Sequence, residues 1–342
     1  MNSRRKFLKA GASALALSAL PASLSAEPTN LSAQLPIKPE ALKPGDTIAV
    51  TSPAGAVWDA KQVDTFISIL KGLGFEVVIG KTLSEKWGYF AGTEELRVNE
   101  LHTFFREKKI KGIFCMKGGW GCARLLNKLD YELIAANPKV LLGFSDISTL
   151  LLAIQHKTGL VTFHGPVGNS GWNEYSVSVL KSVIQNSQLF TFPDLPEHEE
   201  SILTLVPGKA EGMLIGGNLS VITNLIGSKY LPEFKNKLLF IEDFKEEPYR
   251  IDRMLTHLQL NGVFDHISGL IIGKCNKCVP EEPAKSFTLT EVLQQHAQNW
   301  KMPAIYGAMI GHLENKWTVP LGIKASLNAT SGKLQLLEAA VK

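Results

Sequence analysis

Val140-Leu141-Leu142-Gly143-Phe144-Ser145-Asp146-Ile147-Ser148-Thr149-Leu150-Leu151 is the stretch that decides the fold. A short apolar run of strand type breaks at Gly143 and presents Ser145 two residues later. It then passes at once into a helical spacing of apolar residues at Ile147, Leu150, Leu151 and Ile154. This is the outline of a strand–turn–helix elbow, in which a tight turn lifts a serine hydroxyl above the carboxyl end of a strand. The first N–H groups of the helix then point at whatever reacts with it. The second glycine of the usual Gly-x-Ser-x-Gly pattern is replaced by Ile147, so an ordinary helix N-cap at Ser145 is the competing reading.

Outward from the elbow, strands alternate with amphipathic helices. On the N-terminal side lie strands at 47–51, 76–79 and 110–116, with helices around 63–70 and from Thr93 to about Glu107 between them. Such alternation predicts a parallel sheet covered on both faces, with ligands bound at the carboxyl ends of the strands. Two of those ends stand out: Gly143-Phe144-Ser145-Asp146, and Lys117-Gly118-Gly119-Trp120-Gly121 after the third strand. The glycine turn either lets a backbone N–H approach a bound carbonyl oxygen, together with the N–H of Asp146, or is a plain tight turn before a helix through Arg124 and Leu129. It lacks the spacing of a phosphate loop.

Periodicity fades from 185 to 207, where Pro193, Pro196, Pro207 and the acids Glu197, Glu199 and Glu200 predict a linker. The domains expected are therefore 41–184 and 208–342. The second restarts with strands near Met213-Leu214-Ile215, Leu238 to Ile241, Leu270 to Ile272 and Ala304 to Ile310, with helices between them and two closing strands near 324–328 and 333–337. No internal repeat is visible.

The chain has 342 residues, 45% hydrophobic and 20% charged, which suits two ordinary domains with a sizeable core. Its net charge of +4 comes entirely from Arg4, Arg5, Lys6 and Lys9, and the remaining 32 basic residues match the 32 acids. A nucleic-acid partner or membrane-surface patch is not expected. The basic cluster precedes an Ala/Leu-rich run from Ala10 to Leu20 and small residues to Ala26, the arrangement of a twin-arginine export signal rather than a span, for which the run is too short. A cleaved signal over 1–26, the twin-arginine translocase as partner during export, a periplasmic location and a flexible arm over 27–40 follow as expectations. Cys115, Cys122, Cys275 and Cys278 read as buried thiols, as a local Cys-x-x-Cys disulfide, or as a zinc site.

A serine nucleophile needs a base and a carboxylate to orient it. Of eight histidines, His164 and His312 lie at strand ends, whereas His102, His257 and His296 lie in helix patterns and His198 in the linker. The same test selects Glu242 and Asp243 among the acids. The order Ser145, Glu242, His312 parallels that of α/β-hydrolases. Against it, Glu242 could pair with Arg250 or Arg253, and His312 could be a satisfied core histidine.

The blocks Leu-Lys-Pro-Gly-Asp-Thr-Ile-Ala-Val (42–50), Tyr-Phe-Ala-Gly-Thr (89–93), Gly-Gly-Trp-Gly-Cys-Ala-Arg-Leu-Leu (118–126), Gly-Phe-Ser-Asp-Ile-Ser (143–148), His-Gly-Pro (164–166), Gly-Gly-Asn-Leu (216–219), Ile-Glu-Asp (241–243), Pro-Tyr-Arg-Ile-Asp-Arg (248–253) and Gly-His (311–312) together resemble the murein tetrapeptide LD-carboxypeptidase family. They run in family order over about residues 40 to 330. The resemblance implies an α/β fold, with an N-terminal parallel-sheet domain of class I glutamine amidotransferase type and a smaller C-terminal α/β domain. It implies a serine peptidase that cuts the terminal D-alanine from the peptidoglycan stem tetrapeptide at an L-configured diamino acid, leaving a tripeptide.

In that reading Ser145 is the nucleophile, His312 the base and acid, and Glu242 its orienter. Backbone near Gly118 or Gly119 and Asp146 forms the oxyanion hole, and Lys117, Trp120, Asn218 and Arg250 are candidates for substrate contact. The resemblance further implies no metal or cofactor, and a homodimer. Three departures qualify the likeness: Lys117 stands where the family usually has arginine, Cys122 where it has a small polar residue, and the familiar family members are cytoplasmic. A related microcin-immunity type, which cleaves peptidyl or acyl-sulfamoyl adenylates, tends to carry an insertion before the acid. The short interval from Ser145 to Glu242 therefore favours the carboxypeptidase. A muropeptide-binding protein without turnover is the alternative from another class.

Overall fold

A computed structural model describes residues 35–342, so the export signal expected at 1–26 and most of the expected arm lie outside the described residues. In chain order the strands are β1 (Thr47–Thr51), β2 (Glu76–Ile79), β3 (Ile110–Cys115), β4 (Val140–Gly143), β5 (Thr162–His164), β6 (Leu203–Val206), β7 (Lys209–Asn218), β8 (Lys237–Glu242), β9 (Gly269–Gly273), β10 (Ala304–Ala308), β11 (Val319–Leu321), β12 (Lys324–Asn328) and β13 (Lys333–Leu336). The first sheet has the order β11-β5-β4-β3-β1-β2 and is parallel except for β11. The second has the order β13-β12-β7-β8-β9-β10-β6, with a parallel centre from β7 to β10 and antiparallel strands on both flanks. Apolar residues in unbroken runs, such as Ile113 to Met116 and Leu238 to Ile241, are buried on both faces, as central parallel strands require.

Helix starts follow local chemistry. Thr93 accepts from the Leu96 N–H at the head of Glu94–Arg106, and Thr288 and Glu291 form a reciprocal capping box at the head of Leu289–Ala297. The helix that follows the elbow, Ser148–Thr158, is closed by Gly159 in the left-handed conformation. Nearly all of its residues are buried, including Ser148, Thr149 and Gln155. It packs on β5 and β11 of the first sheet and on β7 of the second. A helix enclosed by both sheets has no need of a polar stripe, which is why its apolar residues do not keep to one face.

Four expectations are corrected. The 185–207 stretch is packed rather than a free linker: β6 pairs with β10, and the Phe192 N–H donates to the Leu334 carbonyl at 3.0 Å. Residues 37–41, expected within or beside a flexible arm, are pinned to the body. The Ile37 N–H reaches Gly159 O, the Ala41 N–H reaches Lys342 O, and Lys38 pairs with Glu338 at 2.8 Å. No helix runs from Arg124 to Leu129. A 3-10 turn spans Cys122–Leu125, and the helix starts at Tyr131 behind the Asp130 cap. The last strand expected in the first half is followed by one more, β11, which returns from the C-terminal part of the chain to the edge of the first sheet. Its Pro320 sits on that edge, where a missing N–H removes no ladder bond. Among the described residues no helix is long and apolar enough to cross a membrane.

Candidate active site

Ser145 follows β4 through Phe144, which is extended, and itself holds φ at +63° before the chain turns into the 3-10 segment Ser145–Ile147 and the helix Ser148–Thr158. A left-handed serine costs about 1–2 kcal/mol and persists only where the surroundings enforce it. They do so here by crowding. A Cβ placed on Gly143 would lie 2.7 Å from Ile147 Cγ2, and one on Gly118 would lie 2.8 Å from Ser145 Cβ and 2.9 Å from its Oγ. The same added carbon would be 3.2 Å from the Asp146 nitrogen, so the Gly118 backbone faces both the serine and the first N–H groups of the elbow. The loop is held there because the Gly55 N–H donates to the Gly118 carbonyl at 3.1 Å. Beneath it, fully buried Arg97 donates to the Pro53 and Gly121 carbonyls at 2.8 and 3.1 Å. This arrangement can present backbone donors to an oxygen that acquires charge beside Ser145.

The second sheet brings the acid and the base. In the β7–β8 ladder Asn218 pairs with Glu242, which puts Glu242 at the carboxyl end of β8. His312 lies beyond β10, after Gly311, whose φ is +119° and where a Cβ would come within 2.6 Å of Glu242 Oε2. His312 Nδ1 lies 2.8 Å from Glu242 Oε2. An ionised carboxylate only accepts, so Nδ1 carries the proton and Nε2 is left with a lone pair. The ring is clamped: it stacks on Phe244 at 4.7 Å and 10°, and meets Phe144 edge-on at 4.6 Å. Asn276 Nδ2 donates to the His312 carbonyl at 2.7 Å. Burial pushes the Glu242 carboxyl up, but the facing His164 and His312 rings outweigh it and hold the group at about 2.

Ser145 and His312 line one pocket of about 250 Å³, together with Gly119, Trp120, Asn218, Asp243 and Glu246. Glu242 faces His164 at 3.8 Å and His312 at 2.8 Å rather than Arg250 or Arg253. Asp146 contributes more than its backbone. Its buried carboxylate accepts the Cys122 N–H at 2.8 Å and so ties the elbow to the glycine loop, while burial raises its pKa against that bond.

Of the residues considered for substrate contact, Trp120 and Asn218 line the pocket, and Asn218 also donates to Asp243 at 3.1 Å. Lys117 and Arg250 lie outside the lining. Lys117 Nζ donates to the Ala56 carbonyl at 3.3 Å, and exposed Arg250 packs on Tyr249 and approaches Glu246 at 3.8 Å. Two of the helix histidines have structural partners: His102 accepts the Asp130 N–H, and His296 pairs with Asp252 at 2.8 Å. All four cysteines are buried free thiols, neither bridged nor part of a cluster, and among the described residues no group of three or more His, Cys, Asp or Glu side chains could hold a metal ion. Sequence reasoning missed Phe144, Phe244 and Asn276, the clamps of His312. Phe244 sits two residues after Glu242 in the sequence, but nothing in that spacing foretells a stack on a histidine from the loop beyond β10.

Comparison with known proteins agrees with this architecture. The chain matches the LD-carboxypeptidase N-terminal domain over residues 48–165 and the LD-carboxypeptidase C-terminal domain over residues 211–327. It is 41% identical over 310 residues to the "Probable murein peptide carboxypeptidase" of Bacillus subtilis, covering 89% of this chain and 95% of that one. It is 32% identical over 295 residues to the murein tetrapeptide carboxypeptidase of Pseudomonas aeruginosa, covering 82% and 92%. Among solved structures it resembles the microcin C7 self-immunity protein in complex with aspartyl sulfamoyl adenosine, with a TM-score of 0.83 at 30% identity over 90% of this chain and all of that one.

Proposed function

Because the chain belongs to the LD-carboxypeptidase family, we propose that it is a serine carboxypeptidase that releases the terminal D-alanine from murein tetrapeptides. The observation that carries this reading is the meeting, in one pocket, of a left-handed serine at a strand–helix elbow with a histidine already oriented by a buried carboxylate. Ser145 Oγ attacks the carbonyl carbon of the diamino acid while its proton passes to His312 Nε2. The oxygen that gains charge is met by the Asp146 N–H and the backbone of Gly118 and Gly119. His312 returns the proton to the departing amine of D-alanine, which leaves an acyl group on Ser145. Water, deprotonated by the same imidazole, then breaks the ester and frees the tripeptide.

Incubating the protein with a defined tetrapeptide and following free D-alanine tests this. Release that is lost in Ser145→Ala supports it. No release by the wild type, with tetrapeptide still bound, would make the chain a muropeptide-binding protein. Hydrolysis of an aminoacyl sulfamoyl adenylate in preference to the tetrapeptide would align it instead with the immunity-type relative.

The leader extends the proposal: the protein acts in the periplasm after twin-arginine export, on murein or its fragments outside the inner membrane. Residues 1–35 fused to a reporter should give a periplasmic signal that disappears when Arg4 and Arg5 are changed to lysine, and a cytoplasmic reporter would overturn the claim. A homodimer, which the family commonly forms, belongs to the same proposal.

A further inference from the structure

His312 occupies one oxygen of Glu242; the other oxygen faces a second histidine. His164 closes β5 and is 1% exposed, and Glu242 is fully buried. His164 Nε2 stands 3.8 Å from Glu242 Oε1. Among the described residues, neither nitrogen of His164 nor Oε1 of Glu242 has a hydrogen-bond partner, although all three are sealed from solvent. A buried carboxylate oxygen without a donor is costly, and so is a buried ring N–H without an acceptor. Each is the polar group placed to satisfy the other.

The ring is well fixed. Phe144 meets it at 5.8 Å and Phe240 at 5.3 Å, both edge-on, and its backbone is paired on both sides, with Gly143 of β4 and Val319 of β11. Other charged or titratable groups that bear on this pair are Lys316, buried just before β11 with its Nζ 5.8 Å from the Phe144 ring, and Asp243 and Cys275, both within the field of Glu242.

We propose that His164 is a positioning residue for the reaction: its Nε2–H is directed at Glu242 Oε1, completing a His164–Glu242–His312 array that keeps Oε2 on His312 Nδ1. The array spans both sheets, with His164 from the first and Glu242 from the second. It resolves the choice between the two strand-end histidines by giving each one an oxygen of the same carboxylate. His312, which lines the pocket, acts on Ser145; His164, which does not, acts through Glu242.

Without the His164 donor, the carboxylate charge falls more fully on His312 and favours its imidazolium. Since the base must be neutral to act, the acid limb of kcat/KM moves to higher pH. His164→Phe should lower kcat by about ten- to a hundredfold, with KM within about threefold of wild type and the acid limb raised. His164→Gln, which retains an N–H donor, should restore most of kcat. A His164→Phe enzyme with wild-type kcat would overturn the proposal, as would equal losses in both variants with an unmoved acid limb.

These kinetics rest on the carboxypeptidase reading, but a second measurement does not. In protein labelled with ¹⁵N-histidine, the resonance pair that vanishes in His164→Gln should show a protonated Nε2, and a bare Nε2 sinks the proposal whether or not D-alanine is released.

Discussion

Ser145→Ala is expected to lower D-alanine release by about 10⁵-fold or more, because without the hydroxyl neither the base nor the carboxylate has a nucleophile to serve. Most of the pocket lining and the His312–Glu242 bond lie on other elements, so tetrapeptide binding should survive. The elbow adds a second, opposite readout. Serine holds φ at +63° there, and alanine inherits the same strain. Glycine does not, so Ser145→Gly should be more stable than Ser145→Ala by about 1 kcal/mol in chemical denaturation, although both are inactive. Retained turnover in either variant would remove Ser145 from the mechanism, and a less stable glycine variant would remove the strain.

Glu242→Gln should cost about 10³- to 10⁴-fold in kcat, since a neutral amide can hold the wrong face of the imidazole and cannot stabilise the imidazolium formed on proton transfer. The same variant tests the carboxylate's charge without any substrate. Glu242 titrates at about 2 in the folded protein against an ordinary value of 4.5. A lowered folded pKa contributes stability that is complete above 4.5 and is lost as the pH falls through about 2. Over that window the advantage of the wild type over Glu242→Gln should shrink by on the order of 3 kcal/mol. Parallel stability profiles for the two proteins between pH 5 and 2 would mean that folding leaves the carboxyl at its ordinary pKa, and an advantage that grows as the pH falls would mean that it is protonated in the native state.

Much of this site is legible in the sequence because parallel sheets place reactive groups at strand ends. Val140 to Ile154 reads as an elbow from apolar spacing alone, and Glu242, His164 and His312 stand out by ending apolar runs. What spacing cannot convey is which of two strand-end histidines faces the pocket, because that depends on the docking of one sheet against the other. The unread elements share a cause. β6 and β11 are three- or four-residue strands, one hidden in a Pro- and acid-rich stretch and the other containing Pro320, so neither is long enough for a period to emerge. The packing of residues 37–41 escaped for the opposite reason: their partners, Gly159, Glu338 and Lys342, lie far along the chain. Lys117 and Arg250 enter as substrate contacts only through the family resemblance, yet the structure uses Lys117 to tie loops and leaves Arg250 on the surface of the helix Pro248–Leu260.

The chain from β10 to β11 leaves the second sheet and enters the first, and His312 rides on that crossing. The serine elbow and most of the first sheet come early in the chain, while the base comes close to its end, just before β11 takes the edge beside β5. A chain cut before His312 therefore keeps Ser145 but has nothing to draw its proton.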